Sequence, residues 1–162
     1  MNYKEYLAVT ERSFRKNFSI FYDIEERGIK IDLFANSIFM STNVCKNTTS
    51  PFSKFEIYEK YYLKHFENIN QKEIKDFFNF LHLIADEQLP SYQHLHKCVV
   101  GVMICDSIDE NFKNLIQNLK YIKPFTLYFK GWSEIQFFCI DLNAKKIYFN
   151  NAAKPNIELF LF

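Results

Sequence analysis

Glycine is scarce in this chain. Only Gly28, Gly101 and Gly131 occur in 162 residues, too scattered to build a P-loop or a G-x-G-x-x-G turn, so nucleotide binding through a glycine-rich phosphate cradle is disfavoured. No G-x-S-x-G elbow for a nucleophilic serine is present either. Charge of one sign is also missing: 20 Lys and Arg against 19 Asp and Glu leave a net charge of +1, so no global field draws the chain onto nucleic acid or anionic lipid. Cys45, Cys98, Cys105 and Cys139 show no C-x-x-C spacing, and the last three lie in apolar runs where a reduced thiol packs as a small hydrophobe. The longest apolar run, CVVGVMIC, is far short of the ~20 residues of a membrane-spanning helix, and the N-terminus carries no signal-peptide pattern. These absences lead us to expect a cytoplasmic protein with no membrane contact.

Aromatic residues are abundant. Nineteen Phe and ten Tyr, within 48% apolar residues, can furnish an ordered core, and a chain of this length buries roughly 70% of its unfolded surface without disulfide or metal support. One globular domain over residues 1–162 is expected.

The pattern of apolar residues sets out the elements. Tyr3, Leu7, Thr10 and Phe14 recur at helical spacing within residues 2–16. Alternation at Phe18, Ile20, Tyr22 and Ile24, the turn EERG, and IKIDLFANSIFM make a β-hairpin. STNVCKNTTSPFS then reads as a long loop, and KFEIYEKYYLKHF as a third strand with Lys54, Glu56, Tyr58, Lys60, Tyr62 and Lys64 on a polar face and Phe55, Ile57, Tyr61 and Leu63 on a core face. Asn70 and Glu73 form a capping-box pattern that opens a helix over 71–89, which Pro90 ends. CVVGVMIC lacks alternation, which predicts a strand buried on both faces at the centre of the sheet. Asp106 and Ser107 offer N-caps for a short helix, a three-stranded meander over PFTLYFK, SEIQFFCIDL and KIYFN follows, and the greasy tail IELFLF is expected to pack as a last strand or against a partner. The predicted fold is α/β (α+β): a mixed, partly antiparallel sheet flanked by helices, in the order α-β-β-β-α-β-α-β-β-β.

Residues 28–35, GIKIDLFA, are the most motif-like passage. Together with the order helix, three strands, helix, strand, this octet resembles the core of the restriction-endonuclease-like (PD-(D/E)XK) superfamily, whose second strand often reads G-x-E-I-D-L-I-A. The resemblance implies that Asp32 binds a divalent cation, that a second carboxylate on the third strand shares it, and that a lysine orients the attacking water. Glu56 and Lys60 in FEIYEK are the residues available for those roles, although Tyr58 stands where the lysine of Glu-x-Lys would be. A Mg²⁺-dependent nuclease using Asp32, Glu56 and Lys60 is therefore the alternative reading.

Two other features carry chemistry. His94, His96 and Cys98 in H-L-H-K-C face one way on an extended chain, at steps of ~7 Å, which is a possible partial Zn²⁺ ligand set or else the polar start of a buried strand. The lysines and tyrosines of YEKYY interleave as they do on strands that stack bases, and equally on strands protected from aggregation. With the charge balanced, nucleic acid is not favoured, and the aromatic surplus points to a homodimer or another protein partner. The expected function is a non-catalytic binding or protein-interaction module with no resident cofactor.

Overall fold

The structure, a computed structural model, describes residues 1–42, 54–87, 94–125 and 131–162. Helix α1 (Tyr3–Phe14) opens on a capping box in which Asn2 accepts from the Glu5 N–H while the Glu5 carboxylate accepts from the Asn2 N–H. Strands β1 (Ser19–Glu26), β2 (Ile29–Thr42) and β3 (Lys54–His65) follow, then α2 (Gln71–Asp86), β4 (His94–Cys105), α3 (Lys113–Asn118), β5 (Ile122–Pro124), β6 (Gly131–Asp141) and β7 (Lys146–Phe149). The element order matches the sequence expectation. The strands form one mixed seven-stranded sheet ordered β1-β2-β3-β4-β6-β5, with β7 also on β6; β3, β4 and β6 run parallel and the other pairings are antiparallel.

The hairpin closes through Arg27 and Gly28, both at positive φ, the two-residue turn whose twist matches that of the flanking strands. Its alternation then breaks. Ile24, Ile29 and Ile31 pack with the layer under α2, whereas Ile20, Leu33 and Ala35 pack with the layer under α1. The change of face falls at Asp32, opposite Asp23, which takes a left-handed conformation that aspartate tolerates. Asp32 thus sits at the joint of a twisted ribbon.

β4 is buried on both faces from Lys97 to Cys105. Val99, Met103 and Cys105 face α2; Cys98, Val100, Val102 and Ile104 face α1. A Cβ at Gly101 would fall inside the side chain of Leu81, so the glycine lets α2 lie close on the central strand. Cys98, Cys105 and Cys139 are free and buried; Cys45 lies outside the described residues.

Three expectations are corrected, and a fourth falls largely outside the described residues. Tyr62, assigned to a polar face of β3, is fully buried, because α2 covers that side and the sheet has two core layers rather than one. The short helix is capped not by Asp106 or Ser107 but by Asp109, whose carboxylate accepts from the Asn111 N–H in the 3₁₀ turn Glu110–Phe112. A strand lies at Ile122–Pro124, and most of the expected strand PFTLYFK, residues 126–130, lies outside the described residues. The tail makes no strand: Asn151–Phe160 is a 3₁₀ helix containing Pro155, and Phe160 inserts beside Phe14, Tyr61 and Phe138. Asn150 anchors the start of that segment, fully buried, accepting from the Phe137 N–H and donating to the carbonyls of Ile135 and Leu119.

Candidate functional site

The register of β2 on β3 decides which of the anticipated residues can meet. Glu56 pairs with Met40, Lys60 with Asn36, and Leu33 with Leu63, so Asp32 stands eight residue steps from Glu56, about 26 Å along the strands. The structure does not bring Asp32, Glu56 and Lys60 together as ligands of one ion. Asp32 has a structural task instead: its carboxylate accepts the His65 N–H at 2.6 Å, beside Tyr3, whose ring stacks on His65. Glu56 accepts from the Tyr58 hydroxyl at 3.0 Å. The lysine next to Asp32 across the ladder is Lys64, which donates to the Lys30 carbonyl, and two residues before it stands Tyr62, not a carboxylate.

Lys60 belongs to another group, at the C-terminus of α2. Lys97 of β4 is 0% exposed, and its ammonium donates to the carbonyls of Ile84, which also accepts the Glu87 N–H, and of Glu87 at the end of the helix. α2 has no basic residue of its own in that turn, so the strand supplies the cation its dipole favours. Burial, reinforced by Lys60, lowers the Lys97 pKa to about 8. Glu87 completes the group, 2.8 Å from Arg27 and 3.7 Å from Lys60. Burial would raise its pKa, but Arg27, Lys60 and Lys97 more than offset that and hold it below the ordinary carboxylate range.

The opposite face carries charges of the other sign. One row across the sheet reads Ser37 on β2, Glu59 on β3, Cys98 on β4 and Glu134 on β6, each in register with the next and all on the α1 side. The row below it is Phe39, Ile57, His96 and Trp132, all half-buried. The row above is Ala35, Tyr61, Val100 and Gln136, which α1 and the 3₁₀ segment cover. The covering elements therefore stop at the carboxylates.

A hydrogen-bond network binds the two acids to that cover. Asn156 of the 3₁₀ segment donates to the Tyr61 hydroxyl at 3.3 Å and to Gln136 Oε1 at 2.8 Å. Tyr61 in turn donates to Glu59 at 3.5 Å, and Gln136 to Glu134 at 3.1 Å. Glu134 also accepts from Trp132 Nε1 at 3.3 Å and lies 3.5 Å from His96 Nε2. The difference in donors separates the acids electrostatically. Burial raises the pKa of Glu59, with only partial relief from His96 and Tyr61. Burial acts on Glu134 too, but His96, Gln136 and Trp132 outweigh it, and its pKa falls below the ordinary range.

Among the described residues, His96 is the one basic side chain acting on either acid. Cys98, between them, has its pKa raised well above the ordinary thiol range by burial first and then by both neighbouring carboxylates, which disfavours a thiolate nucleophile. Of the anticipated zinc ligands, His96 stacks against Trp132 with ring centroids 4.4 Å apart, and the His94 side chain lies outside the described residues. No three His, Cys, Asp or Glu side chains among the described residues converge as a metal site.

A family model described as Domain of unknown function (DUF8052) matches residues 2–161. The chain belongs to that family. No curated protein and no solved structure matches it. In this DUF8052 chain, no helix among the described residues is long and apolar enough to cross a membrane. Sequence reasoning missed Glu59, Glu134, Gln136 and Lys97. The available signal was parity: Glu59 shares the β3 face assigned to Ile57 and Tyr61, and Lys97 directly precedes the fully buried CVVGVMIC.

Proposed function

We propose that this protein is a non-catalytic binding module, and that its binding face is the part of the sheet where the cover ends, with Glu59 and Glu134 as recognition groups for a cationic ligand. The observation that carries this reading is the pair of half-buried carboxylates whose one basic neighbour among the described residues is the imidazole of His96. Desolvated negative charge is unfavourable unless it is compensated, and a positively charged ligand supplies what neutral donors do not. The half-buried Trp132 and Phe39 beside the acids favour an organic cation with an apolar body over a bare metal ion. The alternative, a divalent-metal nuclease using Asp32, Glu56 and Lys60, draws no support from a register that sets its two acids eight residues apart.

Calorimetric titration with n-pentylammonium, n-pentanol and pentanoate tests the reading. The account expects saturable binding of the cation alone, weakening as salt rises. Equal binding of all three, or of none, contradicts it.

A further inference from the structure

Among the described residues, every edge of the sheet but one is guarded against a further strand. β1 carries Asp23, Glu25 and Glu26, and the left-handed Asp23 interrupts its line of pairing. β5 and β7 are short, and they carry Lys123 with Pro124 and Lys146. The gap they leave on β6 is closed by Asn150, which accepts the Phe137 N–H and donates to the Ile135 carbonyl. The exception is the end of β2. β3 pairs with β2 as far as Thr42, but among the described residues β1 reaches only Asn36, the partner of Ser19. Before Ser19 the chain turns away: the Asn17 and Phe18 N–H groups both donate to the Phe14 carbonyl at the end of α1. Residues 37–42 of β2 are thus left with an outer edge, and their sequence, SIFMST, holds no charge, no proline and no glycine.

Two further observations mark this edge. Ile38 is 63% exposed, more than any other large apolar side chain among the described residues. Where β1 stops, a groove of about 540 Å³ opens between Asn17, Phe18 and Ser37, and the Ser37 hydroxyl oxygen is buried there with no hydrogen-bond partner. We propose that residues 37–42 pair antiparallel with the same residues of a second copy of this chain, about a two-fold axis normal to the sheet and close to the Met40 backbone. Each copy's β1 then lies end to end with the other's β2, and the two sheets run on as one. The absence of charge selects this occupant. An antiparallel two-fold sets a segment against itself, so a charge would face its like, as the acids of β1 would, whereas SIFMST meets only uncharged residues that favour strands. So short a contact buries little area, and the dimer is reversible rather than obligate. The pairing needs no ligand and does not depend on the cation reading.

Sedimentation equilibrium of the full chain, from micromolar to near-millimolar concentration, reads the association, and backbone hydrogen exchange over the same range locates it. The proposal expects a monomer–dimer equilibrium in which the amides of residues 37–42 exchange more slowly as concentration rises, while those of β1 do not. Ile38→Lys, which brings like charges together across the two-fold, should weaken association by roughly tenfold or more. Leu83→Lys, at an exposed position on α2, should leave it unchanged. A monomer at every concentration overturns the proposal. So does a dimer that leaves the amides of residues 37–42 unprotected, or one that Ile38→Lys does not weaken. If the Ile38→Lys chain fails to fold, hydrogen exchange on the unsubstituted protein still decides.

Discussion

Lys97 and the Glu59–Glu134 row occupy neighbouring levels of one sheet on opposite faces, and they treat buried charge in opposite ways. On the α2 side the ammonium of Lys97 meets two helix-terminal carbonyls and lies near the Glu87 carboxylate, so its donors are used even though burial and Lys60 lower its pKa. On the α1 side Glu134 is compensated by Trp132, Gln136 and His96, whereas Glu59 has one long contact from Tyr61 and burial raises its pKa. A compensated buried charge holds a fold together, whereas an undercompensated one lowers stability and persists where a ligand completes it. The comparison separates a structural polar cluster from a candidate site without recourse to any motif.

The largest effect expected from breaking this contrast is at Lys97. Lys97→Ala strips the C-terminal carbonyls of α2 of their donor and opens a cavity, and should cost about 3 kcal/mol, read as a lower denaturant midpoint at unchanged slope. Gly101→Ala, which forces Leu81 off the central strand, should cost about 1 to 3 kcal/mol. On the other face Glu134→Gln removes the charged acceptor of Trp132, Gln136 and His96 and should cost about 1 kcal/mol. Glu59→Gln should have the opposite sign, stabilising the ligand-free chain by up to about 1 kcal/mol, because it removes a carboxylate that burial disfavours.

A second effect at Lys97, comparable in size to its deletion, is a pH slope. Lys97 has a folded pKa of about 8 against the ordinary lysine value of 10.5, so the folded chain binds its proton less tightly and stability should rise as pH climbs from about 8 to 10.5. That rise should be absent in Lys97→Met, measured by denaturant unfolding across the same window. Tyrosines with raised pKa values act in the opposite sense at alkaline pH, so the difference between the two proteins is the quantity to read.

Much of the architecture was legible because local signals agreed. The Asn70–Glu73 box starts α2, the Arg27–Gly28 turn closes the hairpin, and an unbroken apolar run marks the central strand. The site was not legible, for two physical reasons. Residues 43–53 separate β2 from β3, and no local rule fixes the register across so long a connection, so Asp32 and Glu56 looked like partners. A charge inside a strand also looks like its solvent face until both faces prove to be covered. Glu59, Glu134 and Lys97 acquire meaning only from strands distant in sequence, whereas Asp32 drew attention through a local likeness and proved to be the joint of a twisted hairpin.

Thermal unfolding of Glu59→Gln and Lys97→Gln, side by side with the unsubstituted chain and without ligand, tests the central claim most directly. At about 3 °C per kcal/mol for a chain of this size, the account predicts a midpoint raised by a few degrees for Glu59→Gln and lowered by several for Lys97→Gln. A lowered midpoint in both would mean that the two faces are equally structural, and would contradict it.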